Sequence, residues 1–140
     1  MQMKRKIRVM IADDESHIRR YMHSIVDSIS DAISGIEVVA EAEDGESALE
    51  TYESVKPDII LLDINMPKKN GMETLEEIRK SDQDTSIIIL TSLSSIEMVK
   101  KSLALHAANY VLKDNPPEKI REVIKQVCFN HLQAQTQAQA

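Results

Sequence analysis

Four consecutive apolar residues, Ile59-Ile60-Leu61-Leu62, end abruptly in a carboxylate, Asp63, and prolines at positions 57 and 67 close the stretch on both sides. An unbroken apolar run of this length suits a strand covered on both faces, because side chains pointing either way must be apolar. Proline cannot donate to a ladder, so the strand is confined to residues 58–63. A second run, Ile87-Ile88-Ile89-Leu90, stops in the same manner at Thr91 and Ser92. Two such strands imply a parallel sheet sandwiched between helices, and in that architecture ligands bind beyond the carboxyl ends of the strands. Asp63 stands at that edge.

The rest of the chain supplies the layers. Ile7, Val9 and Ile11 alternate with Arg8 and Met10 and stop at Asp13-Asp14, which predicts a first strand over 6–12. Ser16 is expected to cap a helix whose apolar residues Ile18, Tyr21, Met22, Ile25, Val26 and Ile29 recur at helical spacing. Residues 30–35 read as a loop, and 36–42 as a second strand. A turn containing Gly45 starts a helix with Ala48, Leu49, Tyr52 and Val55 inward. After Asp63, residues 66–71 form a loop, and Met72, Leu75 and Ile78 mark a third helical face. Ser94 and Glu97 are spaced as a capping box for a fourth helix carrying Ile96, Val99, Leu103 and Leu105. Asn109–Leu112 is a short fifth strand ending at Lys113. Asn115 is expected to cap a last helix with Pro116 in its first turn and Ile120, Val123, Ile124 and Val127 on one face. Strands alternating with helices predict an α/β fold, a doubly wound five-stranded parallel sheet with five helices.

That topology brings four strand ends together: Asp13 and Asp14, Asp63, Thr91, and Lys113. A lone Asp after a strand is more often a cap or turn residue, so the inference rests on the concurrence. Clustered carboxylates repel unless protonated or neutralised by a cation, and an all-oxygen donor set suits Mg²⁺. Lys113 and Thr91 can hold phosphoryl oxygens, one as a point charge and one as a donor. Asp63 can then be the nucleophile, forming an acyl phosphate labile enough for a reversible signal.

Composition narrows the alternatives. With 140 residues the chain is about one domain long, and a net charge of −6 argues against clamping nucleic acid directly. Its apolar runs are strand-sized, too short to span a membrane. The basic start, Met1 to Lys6, meets Arg8 and then Asp13 rather than a long apolar stretch, so it does not read as a signal peptide, and a cytoplasmic location is expected. Cys128 stands alone, which excludes an internal disulfide and a cysteine-rich zinc site. The four histidines, His17, His23, His106 and His131, lack ligand spacing, and Gly35, Gly45 and Gly71 are too scattered for a phosphate-cradling loop.

Taken together, Asp13-Asp14, Asp63-Ile64-Asn65-Met66-Pro67 with Gly71, Thr91-Ser92 and Tyr110-Val111-Leu112-Lys113 resemble the receiver domain of bacterial two-component response regulators, the CheY-like family. The resemblance covers residue 6 to about residue 130 and implies the sheet order 2-1-3-4-5. It implies that Asp63 is the phosphoacceptor, with a sensor histidine kinase as donor. Mg²⁺ (or Mn²⁺) would be held by Asp14, Asp63 and the Asn65 backbone carbonyl, with Asp13 acting through water. Thr91, Lys113 and the Ser92 backbone would contact the phosphoryl group. Thr91 and Tyr110 would form the switch that carries the signal to the face of helix four, strand five and helix five, where an effector domain or a homodimer partner docks. A phosphoacceptor that assists its own phosphorylation and dephosphorylation, rather than a turnover enzyme, is implied.

Three departures stand out. His106 occupies a position that is glycine in many members, Lys113 is followed by Asp114-Asn115 rather than by proline, and residues 30–35 lengthen the first helix-to-strand connection. Lys113-Asp114, with Val38-Val39-Ala40-Glu41-Ala42 upstream, is similar to receivers of LuxR-type helix-turn-helix regulators, which points to transcriptional output. The alternatives are a stand-alone single-domain regulator and an aspartyl-phosphate phosphatase. Asp63-Ile64-Asn65 lacks the second acid of a phosphatase Asp-x-Asp motif. A receiver-like module that never takes phosphate is opposed by the complete set of acids, hydroxyl and lysine. The expected division is a receiver over 1–132 and a Gln/Ala-rich tail over 133–140, which either extends the last helix or begins a linker.

Overall fold

A computed structural model describes residues 6–92 and 96–139, the last three as backbone alone. The elements alternate as expected: β1 (Ile7–Ala12), α1 (Ser16–Ile29), β2 (Ile36–Ala42), α2 (Gly45–Val55), β3 (Ile59–Asp63), α3 (Gly71–Arg79), β4 (Ser86–Thr91), α4 (Ile96–Ala104), β5 (Asn109–Leu112) and α5 (Pro117–Gln139). All pairings are parallel, and the sheet order is β2-β1-β3-β4-β5. No helix among the described residues is long and apolar enough to cross a membrane.

The apolar runs divide by side-chain parity between two cores. Ile59, Leu61, Ile88 and Leu90 pack with Met22, Val26, Ile120 and Ile124 from α1 and α5. Ile60, Leu62, Ile87 and Ile89 pack on the other face with Ala48, Tyr52, Leu75 and Ile78 from α2 and α3. Each fully buried aliphatic side chain stabilises the fold by about 1.5–3 kcal/mol. This two-sided burial holds the end of β3, and hence Asp63, in place.

Several helix ends differ from the sequence reading. Ser16 is the first residue of α1 rather than its cap: Glu15 takes the cap position without a side-chain cap, and its N–H donates to Asp13 Oδ1 at 2.8 Å. The Asp13 carboxylate fixes the chain entering the helix, and the first helical bonds, from Ile18 N and Arg19 N, run to the Glu15 carbonyl. Asn115 does not cap α5 either. Its Oδ1 accepts from Leu112 N at 3.0 Å, closing the turn after β5, and α5 begins after Pro116. At α3, Asn70 and Glu73 form a reciprocal capping box inside what read as plain loop. Ser94 of the expected α4 capping box lies outside the described residues.

The inward face of α4 is narrow. Val99 and Ser102 are buried, whereas Ile96 and Leu103 are 51% and 43% exposed. Ser102 is tolerated inside because its hydroxyl donates to Val99 O at 2.7 Å. His106, in the turn before β5, has a left-handed φ of 68°, the conformation glycine adopts without cost, and its carbonyl accepts from Arg79 Nη2 at 2.9 Å.

The helix α5 runs through the Gln/Ala segment as far as Gln139. His131 anchors its extension, with Nδ1 3.0 Å from Ser86 Oγ and Nε2 3.5 Å from Asp58 Oδ1. Cys128 is buried, and burial pushes its thiol up to about 12, so it packs as a small apolar residue rather than a reactive one.

Candidate functional site

The register of the sheet assembles the site. Ala12 pairs with Leu62, so Asp13 and Asp63 emerge side by side from β1 and β3. Asp63 pairs with Leu90 and Thr91 with Leu112, which sets Lys113 at the same edge, its N–H donating to Thr91 O at 2.8 Å. Carboxylate oxygens of Asp13, Asp14 and Asp63 lie within 4.8 Å of one another, a grouping able to hold a metal ion.

Burial differs sharply among these groups. Asp13 and Asp63 are buried, Asp14 is exposed, and Lys113 is partly covered. Lys113 Nζ lies 2.9 Å from Asp13 Oδ2 and 3.2 Å from Asp63 Oδ2. Both are short contacts to buried carboxylate oxygens. A third carboxylate oxygen, Glu15 Oε1, lies 3.3 Å from the same ammonium.

The electrostatics follow from burial and from three acids sharing one ammonium. Burial, reinforced by the neighbouring charge of Asp13, pushes Asp63 up to about 7, and Lys113 offsets this only in part. Burial likewise raises Asp13. Burial alone would lower Lys113, but its bond to Asp13 and the charge of Asp63 outweigh it and leave the lysine raised. One ammonium therefore does not compensate the acids around it. An all-oxygen set of three carboxylates, two of them buried, matches what a hard divalent cation requires.

Neighbouring backbone tightens the arrangement. Asn65 N donates to Asp63 Oδ1 at 3.1 Å and fixes one carboxylate oxygen. Gly71 begins α3 so close to the strand end that a Cβ there would collide with the Asp63 carbonyl oxygen. Arg19 Nη1 donates to Asp13 O at 2.6 Å.

Among the expected residues, Asp13, Asp14, Asp63 and Lys113 are brought into one cluster, with Asn65 joined to it through the Asp63 carboxylate. Thr91 is buried at the adjoining strand end, its Oγ1 donating to Ser92 O at 3.2 Å, and Ser92 is exposed. Tyr110 lies on β5 with its side chain 36% exposed, directed out of the core. Glu15 and Arg19 went unnoticed in the sequence. The only signal for Glu15 was a third acid following Asp13-Asp14. A cavity of about 540 Å³, lined by Tyr52, Asp58, Asp82 and His131 among others, lies at the opposite edge of the sheet, away from this chemistry.

Residues 9–125 match the family model described as response regulator receiver domain. The chain is 32% identical over 120 residues to the chemotaxis protein CheY of Thermotoga maritima, covering 86% of this chain and 96% of that protein. It is 33% identical over 124 residues to the nitrate/nitrite response regulator protein NarL of Escherichia coli, covering 89% of this chain but only 56% of that protein. Among solved structures, the REC domain of AraT, a response regulator from Geobacillus stearothermophilus, superposes with a TM-score of 0.81 at 34% identity, covering 91% of this chain and 97% of that one.

Proposed function

Because the chain belongs to the response regulator receiver domain family of two-component signalling, we propose that it is a phosphorylation-dependent switch in which Asp63 accepts a phosphoryl group from a sensor histidine kinase. The observation that carries this reading is the pairing of a buried Asp63 with Asp13, Asp14 and Lys113 at the carboxyl edge of the sheet. Asp63 is the nucleophile, and it assists its own phosphorylation rather than turning over a substrate. Asp14, Asp63 and the Asn65 carbonyl hold Mg²⁺ (or Mn²⁺), with Asp13 contributing through water. When bound, that ion neutralises the acids and the phosphoryl oxygens.

Lys113, Thr91 and the Ser92 backbone receive the phosphoryl oxygens. Thr91 moves toward them, Tyr110 turns inward, and the surface of α4, β5 and α5 changes. The exposure of Tyr110, Ile96 and Leu103 supports an output surface there. Residues 1–132 are the switching unit, acting in the cytoplasm, and 133–140 are a tail or the start of a linker. Lys113-Asp114 favours a receiver of a LuxR-type regulator. The stand-alone alternative draws support from the near full-length match to CheY. The reading frame beyond Ala140 separates the two.

Incubation with acetyl phosphate and Mg²⁺ tests the switch by intact mass. The wild type is expected to gain one phosphoryl group and Asp63→Asn none. A wild type that stays unmodified, or an Asp63→Asn that gains phosphate equally, overturns the reading.

A further inference from the structure

We propose that Arg19 is a positioning residue that aims the Asp14 carboxylate at the cation site by holding the peptide between Asp13 and Asp14. The inference rests on the role given above to Asp14 in holding Mg²⁺ and adds a residue behind it.

Asp14 is the exposed member of the acid cluster, whereas Asp13 and Asp63 are enclosed. Packing does little to fix an exposed side chain, so its direction depends on the backbone that carries it. Two peptide planes meet at Asp14, and both are bonded. The plane toward Glu15 donates its N–H to Asp13 Oδ1 at 2.8 Å. The plane toward Asp13 accepts at its carbonyl from Arg19 Nη1 at 2.6 Å. A peptide is rigid, so fixing that carbonyl fixes the N–H and Cα of Asp14 with it. The first bond uses an oxygen of Asp13, itself one of the clustered acids, and a cation drawing on that carboxylate competes with it. The second uses no carboxylate of the cluster, so it holds whichever way the acids turn.

Arg19 is itself firmly placed. Its N–H bonds the Glu15 carbonyl at 3.1 Å at the start of α1, and its side chain is only 16% exposed. Nε donates to Glu41 Oε1 at 3.0 Å, near the end of β2. A guanidinium is planar with its donors in fixed directions, so bonding Glu41 through Nε settles where Nη1 points. Asp13 N donates to the carbonyl of Ala42, the residue after Glu41, at 3.0 Å. The end of β2 thus braces Asp13 twice, directly through Ala42 and indirectly through Glu41 and Arg19.

Charge and position predict opposite signs at this residue. Arg19 is a cation beside a cation site, so if it acted only through its field, removing it would tighten Mg²⁺ binding. If it positions Asp14, removing it weakens binding. The test titrates the whole chain with Mg²⁺ in a calorimeter, at a temperature where the denaturation curve of each variant shows it folded. Arg19→Met keeps the length of the stem and removes the donors, and it is expected to raise the Mg²⁺ dissociation constant about ten-fold, the scale on which a group behind a metal ligand acts. Arg19→Lys keeps the charge but cannot reproduce the planar fork that serves Glu41 and Asp13 together, so it should fall between the wild type and Arg19→Met. An Arg19→Met that binds Mg²⁺ as tightly as the wild type, or more tightly, overturns the positioning role and leaves the phosphoacceptor assignment of Asp63 standing. An Arg19→Lys that binds more weakly than Arg19→Met does the same. A wild type that binds no Mg²⁺ overturns both this inference and the metal set it rests on.

Discussion

Lys113 Nζ stands 3.2 Å from Asp63 Oδ2, yet the carboxylate it pairs with is raised rather than lowered. Burial and the neighbouring charge of Asp13 outweigh the attraction of the lysine and carry Asp63 to about 7. Between its ordinary value of 3.8 and about 7, the folded chain keeps a proton that the unfolded chain has released. Stability therefore falls as pH rises through that window. Asp82 works in the opposite sense and elsewhere: burial would raise it, but bonds from Thr85 and Tyr52 hold it at about 2, so its contribution is lost only on acidification below the usual carboxylate range. The denaturation midpoint of metal-free protein is expected to drop from about pH 5 to about pH 7.5, with Asp63→Asn removing most of the drop and Mg²⁺ restoring stability at the higher pH. A metal-free midpoint that rises over this range would contradict the assignment.

Cation binding is expected to depend on Asp14 and not on Lys113. Asp14→Ala should abolish the heat of Mg²⁺ binding in a calorimetric titration. Lys113→Ala should retain it, because the lysine competes for the same oxygens, yet lose the conformational response to beryllofluoride. Undiminished Mg²⁺ affinity in Asp14→Ala would remove that residue from the site.

Gly71 has no room for a methyl group against the Asp63 carbonyl oxygen. Gly71→Ala should cost about 1–3 kcal/mol of folding stability, the usual range for overpacking, and should weaken Mg²⁺ binding by displacing the end of β3. Denaturant titration and calorimetry on the same sample read both effects, and a loss of stability with unchanged Mg²⁺ affinity would show that the strand end does not move.

His106 holds a left-handed φ of 68° with its side chain exposed, and the bond from Arg79 goes to its carbonyl rather than to its ring. Glycine preserves that bond and relieves the strain, so His106→Gly should gain about 1 kcal/mol in chemical denaturation. A loss of stability would mean that the imidazole itself contributes packing.

Apolar side chains of Ile96, Leu103 and Tyr110 remain exposed on α4 and β5. Light scattering at micromolar concentration should register self-association, or binding of an added effector, only with beryllofluoride and Mg²⁺ present. Leu103→Lys should suppress it while leaving the mimic bound.

The sheet and the location of Asp63 were legible because two fully apolar runs admit only strands covered on both faces, and the residues that end them must then share an edge. Helix caps were less legible. Ser16 lost its expected role because the first helical bonds run to the Glu15 carbonyl, one residue earlier, and Asn115 lost its role because its side chain closes onto Leu112. The inward face of α4 was not legible, since the helix buries only a narrow stripe at Val99 and Ser102, and apolar residues beside that stripe look no different in sequence from core. Glu15 was not legible for a geometric reason: which acids converge on a lysine is decided by side-chain direction, which spacing does not encode.

The proposed switch stands or falls on whether Asp63 itself becomes the acyl phosphate. After acetyl phosphate and Mg²⁺ treatment, borohydride reduction converts an aspartyl phosphate to homoserine, and peptide sequencing by mass spectrometry locates the change. Homoserine is expected at position 63 and not at Asp13 or Asp14. Reduction at either of those positions, or at none, would contradict it.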